Sequence, residues 1–196
     1  NGAIAFGIYN YVRHTGDSAY LETYGMPVLA GIARFWAQRF NWSEAKQAYV
    51  MLGVTGPNEY ENNVNNNWYT NYIARWCIAY CLEVNAQVQQ ALPQKLSAQE
   101  LEKFEHIVAN VYLPQLEGTN VFLQQDGFMD KEQLTVADIR VAERPINQHW
   151  SWDRILRSIF IKQADVLQGL YLFEDHFTEE VTRENFDFYE PKTVHE

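Results

Sequence analysis

The stretch SAYLETYGMPVLAGIARFWAQRF, residues 18–40, decides the fold class. Within it Met26, Leu29, Ile32, Ala33 and Trp36 recur at intervals of three and four, which puts them on one face of an α-helix. Asp17 or Ser18 stands where a helix cap is needed. Pro27 predicts a kink or a boundary inside the helix, because proline removes a backbone donor. Immediately upstream, residues 2–14 show the same period, with Ile4, Ile8, Tyr11 and Val12 on a shared face. Thr15-Gly16-Asp17 reads as a turn, so the chain opens with two tightly joined helices, an αα-hairpin.

Working outward, residues 41–66 lose the period and are rich in Asn and Gly, with one short β-like piece, Tyr49-Val50-Met51-Leu52. Helical spacing returns over 67–92 through Trp68, Tyr72, Ile73, Trp76, Ile78, Ala79, Leu82 and Val84. Ser97-Ala98-Gln99-Glu100 is a capping box that opens a helix to about residue 113, with Pro114 as its stop. Residues 115–150 are mostly irregular, a loop too long to be idle in a compact domain. A helical run follows from Ala164 to Phe177, Thr178 caps one more helix to about Phe186, and 191–196 reads as an extended tail. The fold class is all-α, six to seven helices with long loops.

The 196 residues suffice for one substantial core. A net charge of −10 argues against nucleic acid and anionic lipid as partners, since an acidic surface repels both. No apolar run is long enough to span a bilayer. Cys77 and Cys81 lie four apart on one helical face, a poor disulfide geometry, and read as reduced core thiols of a cytoplasmic protein. The start lacks a basic n-region, so no signal peptide is expected. No two of the five histidines sit three to five apart, so no metal site is expected. The aromatic share of 15% suits sugar rings as well as helix packing.

The densest chemistry is in Gly53–Asn71, GVTGPNEYENNVNNNWYTN. Gly56-Pro57 makes a turn of nearly fixed backbone that carries Glu59 to the mouth of the next helix. The surrounding amides offer the donors and acceptors that read sugar hydroxyls. Flanked by Tyr60 and Trp68, the Glu59 carboxyl is expected to be partly desolvated, with a raised pKa that lets it act as a general acid. The plain alternative is a turn-forming loop in which Glu59 is a solvated capping residue.

Val54-Thr55-Gly56-Pro57-Asn58-Glu59-Tyr60, followed by Asn63-Val64, Asn66-Asn67 and Tyr69-Thr70-Asn71, resembles the catalytic-acid motif of glycoside hydrolase family 65. Three further stretches agree in order. Tyr11, Thr15-Gly16-Asp17, Leu21, Gly25 and Ala33-Arg34-Phe35-Trp36 with Arg39 are similar to the family's paired helices before the acid loop. Lys162-Gln163-Ala164-Asp165-Val166-Leu167 resembles its second signature, and Tyr189-Glu190-Pro191 with Thr193, His195 and Glu196 the entry to its third.

The resemblance implies that residues 1–196 are part of an (α/α)6-barrel catalytic domain, a fragment of a larger multidomain enzyme. Such a ring holds about a dozen helices, roughly twice what fits here at ordinary helix lengths. The β-sandwich domain before the barrel and the β-sheet domain after it are expected to lie outside the chain. The family's general acid falls on Glu59, and its donor-sugar contacts fall on Lys162 and Gln163. The phosphate site is expected beyond residue 196, with His195 at its edge. Relatives often carry Asp at Asn58 and His-Glu at Glu61-Asn62; the form found here favours maltose and leaves trehalose, kojibiose or another α-glucoside open as the substrate.

The implied reaction is inverting phosphorolysis of an α-glucoside disaccharide, with inorganic phosphate as co-substrate and no cofactor. One carboxyl protonates the leaving oxygen, and phosphate, itself anionic, needs no second carboxylate to activate it. A homodimer is implied for the full-length enzyme. Two rivals remain open: a hydrolase of the same family, with a carboxylate base in place of the phosphate site, and a non-catalytic helical sugar-binding domain.

Overall fold

The computed structural model describes residues 1–88 and 95–195. The chain forms two compact units, one from residues 1–51 and 71–112 and the other from residues 52–70 and 113–196.

In the first unit, helix α1 (Gly2–Thr15) leads through the expected turn, where Asp17 caps the next helix by accepting from the Tyr20 N–H at 2.9 Å. Helix α2 (Ser18–Tyr20) runs through a wider π turn, Leu21–Gly25, into helix α3 (Met26–Arg39). The kink or boundary expected at Pro27 takes the form of a boundary between the π turn and α3. Pro27 cannot donate to Thr23, and the Met26 N–H donates one position further back, to the Leu21 carbonyl. Met26, Leu29, Ile32 and Ala33 are buried as expected, while Trp36 is only partly so.

The face predicted for α1 needs correcting. Gly2, Ala5 and Ile8 are its buried residues, whereas Ile4 is 55% and Tyr11 44% exposed. Small residues won this face because α1 packs close: a Cβ on Gly2 would stand 2.6 Å from Cδ1 of Ile73.

Strands β1 (Asn41–Ser43) and β2 (Ala48–Val50) pair antiparallel, Asn41 opposite Val50 and Trp42 opposite Tyr49. The β-like piece expected at Tyr49–Leu52 corresponds to the second strand alone, starting one residue late and ending two residues late. Helix α4 (Trp68–Gln87) buries Tyr72, Ile73, Ala74, Cys77, Ile78, Tyr80, Cys81 and Val84. The helix was expected to reach 92; Val88 already lies outside it, and residues 89–92 are outside the described residues. Cys77 and Cys81 are free thiols, and burial pushes each up to about 12. Helix α5 (Ala98–Ala109) begins in a complete Ser97–Glu100 capping box. It ends four residues short of the predicted 113, because the chain turns to pair with Tyr49: the Tyr49 N–H donates to Asn110 and the Tyr112 N–H to Tyr49.

The second unit holds the Gly53–Thr70 segment, including the first turn of α4, and the shorter helices. These are α6 (Ile146–His149), α7 (Trp152–Arg157), α8 (Asp165–Leu172) and α9 (Glu179–Tyr189). Residues 115–145 are irregular as expected, with short 3-10 turns. The run predicted to Phe177 stops at Leu172 and continues as a 3-10 turn, Glu174–His176. Thr178 caps α9, which runs three residues past its predicted end. The tail is not simply extended: Glu190–Lys192 form a 3-10 turn, and Thr193 then pairs with Ile161. A core of Tyr60, Ile139, Ile146, Trp150, Ile155, Phe160 and Val194 lies beneath these loops. Among the described residues, six helices have eight residues or more, in line with the all-α prediction. None is long and apolar enough to cross a membrane.

Candidate active site

The loop that carries Glu59 is closed by reciprocal backbone bonds between Val54 and Val64, at 2.9 and 2.8 Å. Asn63 and Asn66 take positive φ inside it, which asparagine tolerates better than most residues. The loop's amides act largely within the protein. Asn65 accepts from the Gly53 N–H, Asn66 donates to Asp126, and the Asn67 Oδ1 receives the N–H and hydroxyl of Thr70, capping α4. Asn58, Asn66 and Asn67 are all buried, so the sugar-reading role predicted for these amides as a group does not fit them.

Glu59, Lys162 and Gln163, more than a hundred positions apart in sequence, meet in space. The Lys162 ammonium pairs with Glu59 Oε2, and Gln163 Nε2 donates to Oε1 at 3.3 Å. The Gln163 Oε1 in turn accepts from the Glu59 backbone N–H at 3.1 Å. One step back, Asn58 Oδ1 accepts from the Lys162 N–H at 2.9 Å and from the Tyr60 N–H at 3.2 Å. The two segments are therefore fastened by backbone and side chain alike.

The predicted electrostatics of Glu59 are reversed. Its side chain is 61% exposed, and the hydrogen bond and charge of Lys162, helped by Gln163, hold its pKa below the usual carboxylate value. Tyr60 and Trp68 do not flank the carboxyl as its sequence neighbours suggested: both are buried, Tyr60 in the core beneath and Trp68 stacked on Phe122 at 4.8 Å. With this pairing Glu59 is ionised near neutral pH.

Behind the cluster lies Asp165, the first residue of α8 and 1% exposed. Its Oδ2 accepts from Asn67 Nδ2 at 2.7 Å, and its backbone N–H donates to Gln124 Oε1 at 3.1 Å. Desolvation raises its pKa to about 7, opposed by the Asn67 bond and the nearby Asn58 backbone. Asp165 stands within the second signature with no role apparent from sequence; an acid opening a mostly apolar helix is the available signal. A second buried acid, Glu61, pairs with Lys131 and accepts from Gln125 at 3.0 Å.

His195 is not part of this cluster. With Val136, Arg144, Pro145 and Val194 it lines a cavity of about 450 Å³. A neighbouring cavity of about 320 Å³ is bounded by Thr135, Ala137, Glu190, Pro191 and Thr193 as well as His195. Among the described residues, no group of three or more His, Cys, Asp or Glu side chains is placed to hold a metal.

The glycosyl hydrolase family 65 central catalytic domain matches residues 1–196. The chain belongs to glycosyl hydrolase family 65. Among its family 65 relatives, it is 54% identical to the maltose phosphorylase of Bacillus subtilis (strain 168), over 100% of this chain and 26% of that protein. It is 34% identical to the kojibiose phosphorylase of Halothermothrix orenii, over 98% of this chain and 26% of that one. A solved structure described as a kojibiose phosphorylase from the human microbiome superimposes with a TM-score of 0.91 at 31% identity, covering 100% of this chain and 28% of the other. The chain thus spans about a quarter of the length of these relatives, and its mostly helical fold is that of part of a family 65 catalytic domain.

Proposed function

We propose that this chain supplies the general acid and part of the donor-sugar site of an inverting maltose phosphorylase. The observation that carries the reading is the convergence of Glu59, Lys162 and Gln163, three residues expected to act on one sugar, into one hydrogen-bonded cluster. The choice of maltose rests on the 54% identity to the Bacillus subtilis enzyme of that name.

In the proposed reaction the Glu59 carboxyl donates its proton to the glycosidic oxygen as the C1–O bond breaks. A phosphate oxygen attacks C1 from the opposite face, giving β-glucose 1-phosphate and glucose. Glu59 is ionised while paired with Lys162, so the reading requires that pair to part. Lys162 and Gln163 turn their donors to hydroxyls of the entering glucose, and the sugar excludes water from the freed carboxyl. Both changes raise the Glu59 pKa, and it takes up the proton it later donates. His195 is the candidate of this chain for the phosphate side. The reading includes no cofactor beyond inorganic phosphate as co-substrate, a homodimeric enzyme and a cytoplasmic setting, in keeping with the free thiols Cys77 and Cys81.

The test is Glu59→Gln in the full-length protein, assayed on maltose with and without phosphate. Loss of proton donation should lower the phosphate-dependent rate by about 10²–10⁴. Full activity in the variant would remove Glu59 from the acid role. Cleavage by the wild type that proceeds equally well without phosphate would make the enzyme a hydrolase.

A further inference from the structure

The segments 56–59 and 162–165 lie against each other. Asn58 holds the Lys162 backbone, and Glu59 holds Lys162 and Gln163. Gly56 lies directly against Asp165. A Cβ on Gly56 would stand 2.1 Å from Asp165 Oδ2 and 2.5 Å from Asn67 Nδ2, so only glycine fits while that carboxyl and amide stay where they are. The Asn67 Nδ2 that donates to Asp165 also donates to the Gln124 carbonyl at 3.2 Å, and the Gln124 side chain accepts from the Asp165 N–H. Asp165 therefore ties the root of the acid loop, the cap of α4 and the start of α8 at a point where almost nothing is exposed to water.

We propose that Asp165 is a positioning residue for the Glu59 carboxyl: through Asn67 and the packed Gly56 it clamps the Gly56–Glu59 segment against Lys162–Gln163, so the acid meets the glycosidic oxygen in one orientation. The proposal rests on the reading of Glu59 as the general acid. Its physical basis is that catalysis by a placed group falls steeply with misplacement, about 10²-fold for an error near 1 Å. A buried acid suits the task better than an apolar side chain, because the Asn67 amide would otherwise lose an acceptor in a dry site. Burial pushes the Asp165 carboxyl up to about 7, so the clamp carries less buried charge near neutral pH than an ordinary carboxylate would.

The experiment compares Asp165→Ala, Asp165→Asn, Gly56→Ala and Glu59→Gln in the full-length protein, reading kcat, KM for maltose and phosphate, and thermal midpoint. Asp165→Ala and Gly56→Ala should each lower kcat by about 10- to 100-fold with both KM values within about threefold. Asp165→Asn should stay within about threefold of the wild type, because its amide oxygen still accepts from Asn67. A role confined to stability would lower the thermal midpoint and leave kcat per folded molecule unchanged, which would overturn the proposal. So would an Asp165→Asn variant as slow as Asp165→Ala. Should Asp165→Ala fail to fold, Gly56→Ala decides alone, since it displaces the same contact without removing the acid. An active Glu59→Gln sinks the acid assignment and this proposal with it. An inactive Glu59→Gln beside undiminished kcat in the other variants sinks only the positioning role.

Discussion

Lys162 and Glu59 form an ion pair, with the ammonium on one carboxylate oxygen and the Gln163 amide on the other. Replacing Lys162 with Met should therefore raise the Glu59 pKa toward its ordinary value near 4.5. A depressed carboxylate contributes stability above its unfolded value, and loses it as pH falls through the folded value. Wild type and Lys162→Met should thus differ in stability above about pH 4.5 and converge below it. Carboxyl NMR titration checks the shift; an unmoved Glu59 resonance would mean the pair does not persist in solution.

Asp165 has the opposite sign. Its folded pKa is raised to about 7, so the folded state holds a proton that the unfolded chain has released. That contribution is complete below about pH 4 and is lost as pH rises to about 7, at no more than about 1.4 kcal/mol per unit. Asp165→Asn cannot titrate, so its stability relative to the wild type should climb across pH 4–7 and then level off. Urea unfolding at four or five pH values tests this, and parallel curves would contradict it.

Gly169, within α8, lies against Trp68: a Cβ there would stand 2.6 Å from the indole Cζ3. Trp68 is fully buried and stacked on Phe122, which leaves it little room to yield. Ala normally improves a helix interior by about 0.5–1 kcal/mol over Gly. Overpacking costs about 1–3 kcal/mol and should win, so Gly169→Ala should be less stable. The expected readout is a lower urea midpoint with an unchanged slope.

In the first unit, Arg34 Nε donates to Glu100 at 2.6 Å, and that pair, with the Ser97 cap, brings the Glu100 carboxyl down to about 2. Glu100→Gln keeps an acceptor for the Ser97 N–H and loses the ion pair. It should cost about 1 kcal/mol near neutral pH, since the pair is part-exposed. The difference should vanish as pH falls from about 4.5 toward 2. Thermal unfolding at pH 7 and pH 2.5 would show it, and an equal deficit at both would argue for lost packing instead.

Features set by near neighbours in the chain were readable from sequence. The Ser97 capping box, the Asp17 and Thr178 caps and the buried face of α3 all depend on residues within one or two turns. Features set by distant partners were not. Helix α5 stops early because Tyr49 recruits residues 110–112, and α1 buries Gly2 because Ile73 approaches closely. The cluster of Glu59, Lys162 and Gln163 was legible only through family resemblance, since no local pattern links residues a hundred positions apart. The Glu59 environment differs from expectation for a related reason: Tyr60, next to it in sequence, and Trp68, nine residues on, turn into the core, while Lys162 governs its charge.

The contact between residues 56–59 and 162–165 constrains how this protein can diverge. A single replacement changes one contact and leaves the spacing of both stretches as it is. Inserting or deleting one residue between Gly56 and Glu59, or between Lys162 and Asp165, would change that spacing, separating Glu59 from Gln163 or Asp165 from Gly56. Length variation among homologues should therefore accumulate in the irregular span after Pro114, and the spacing within these two short stretches should stay constant.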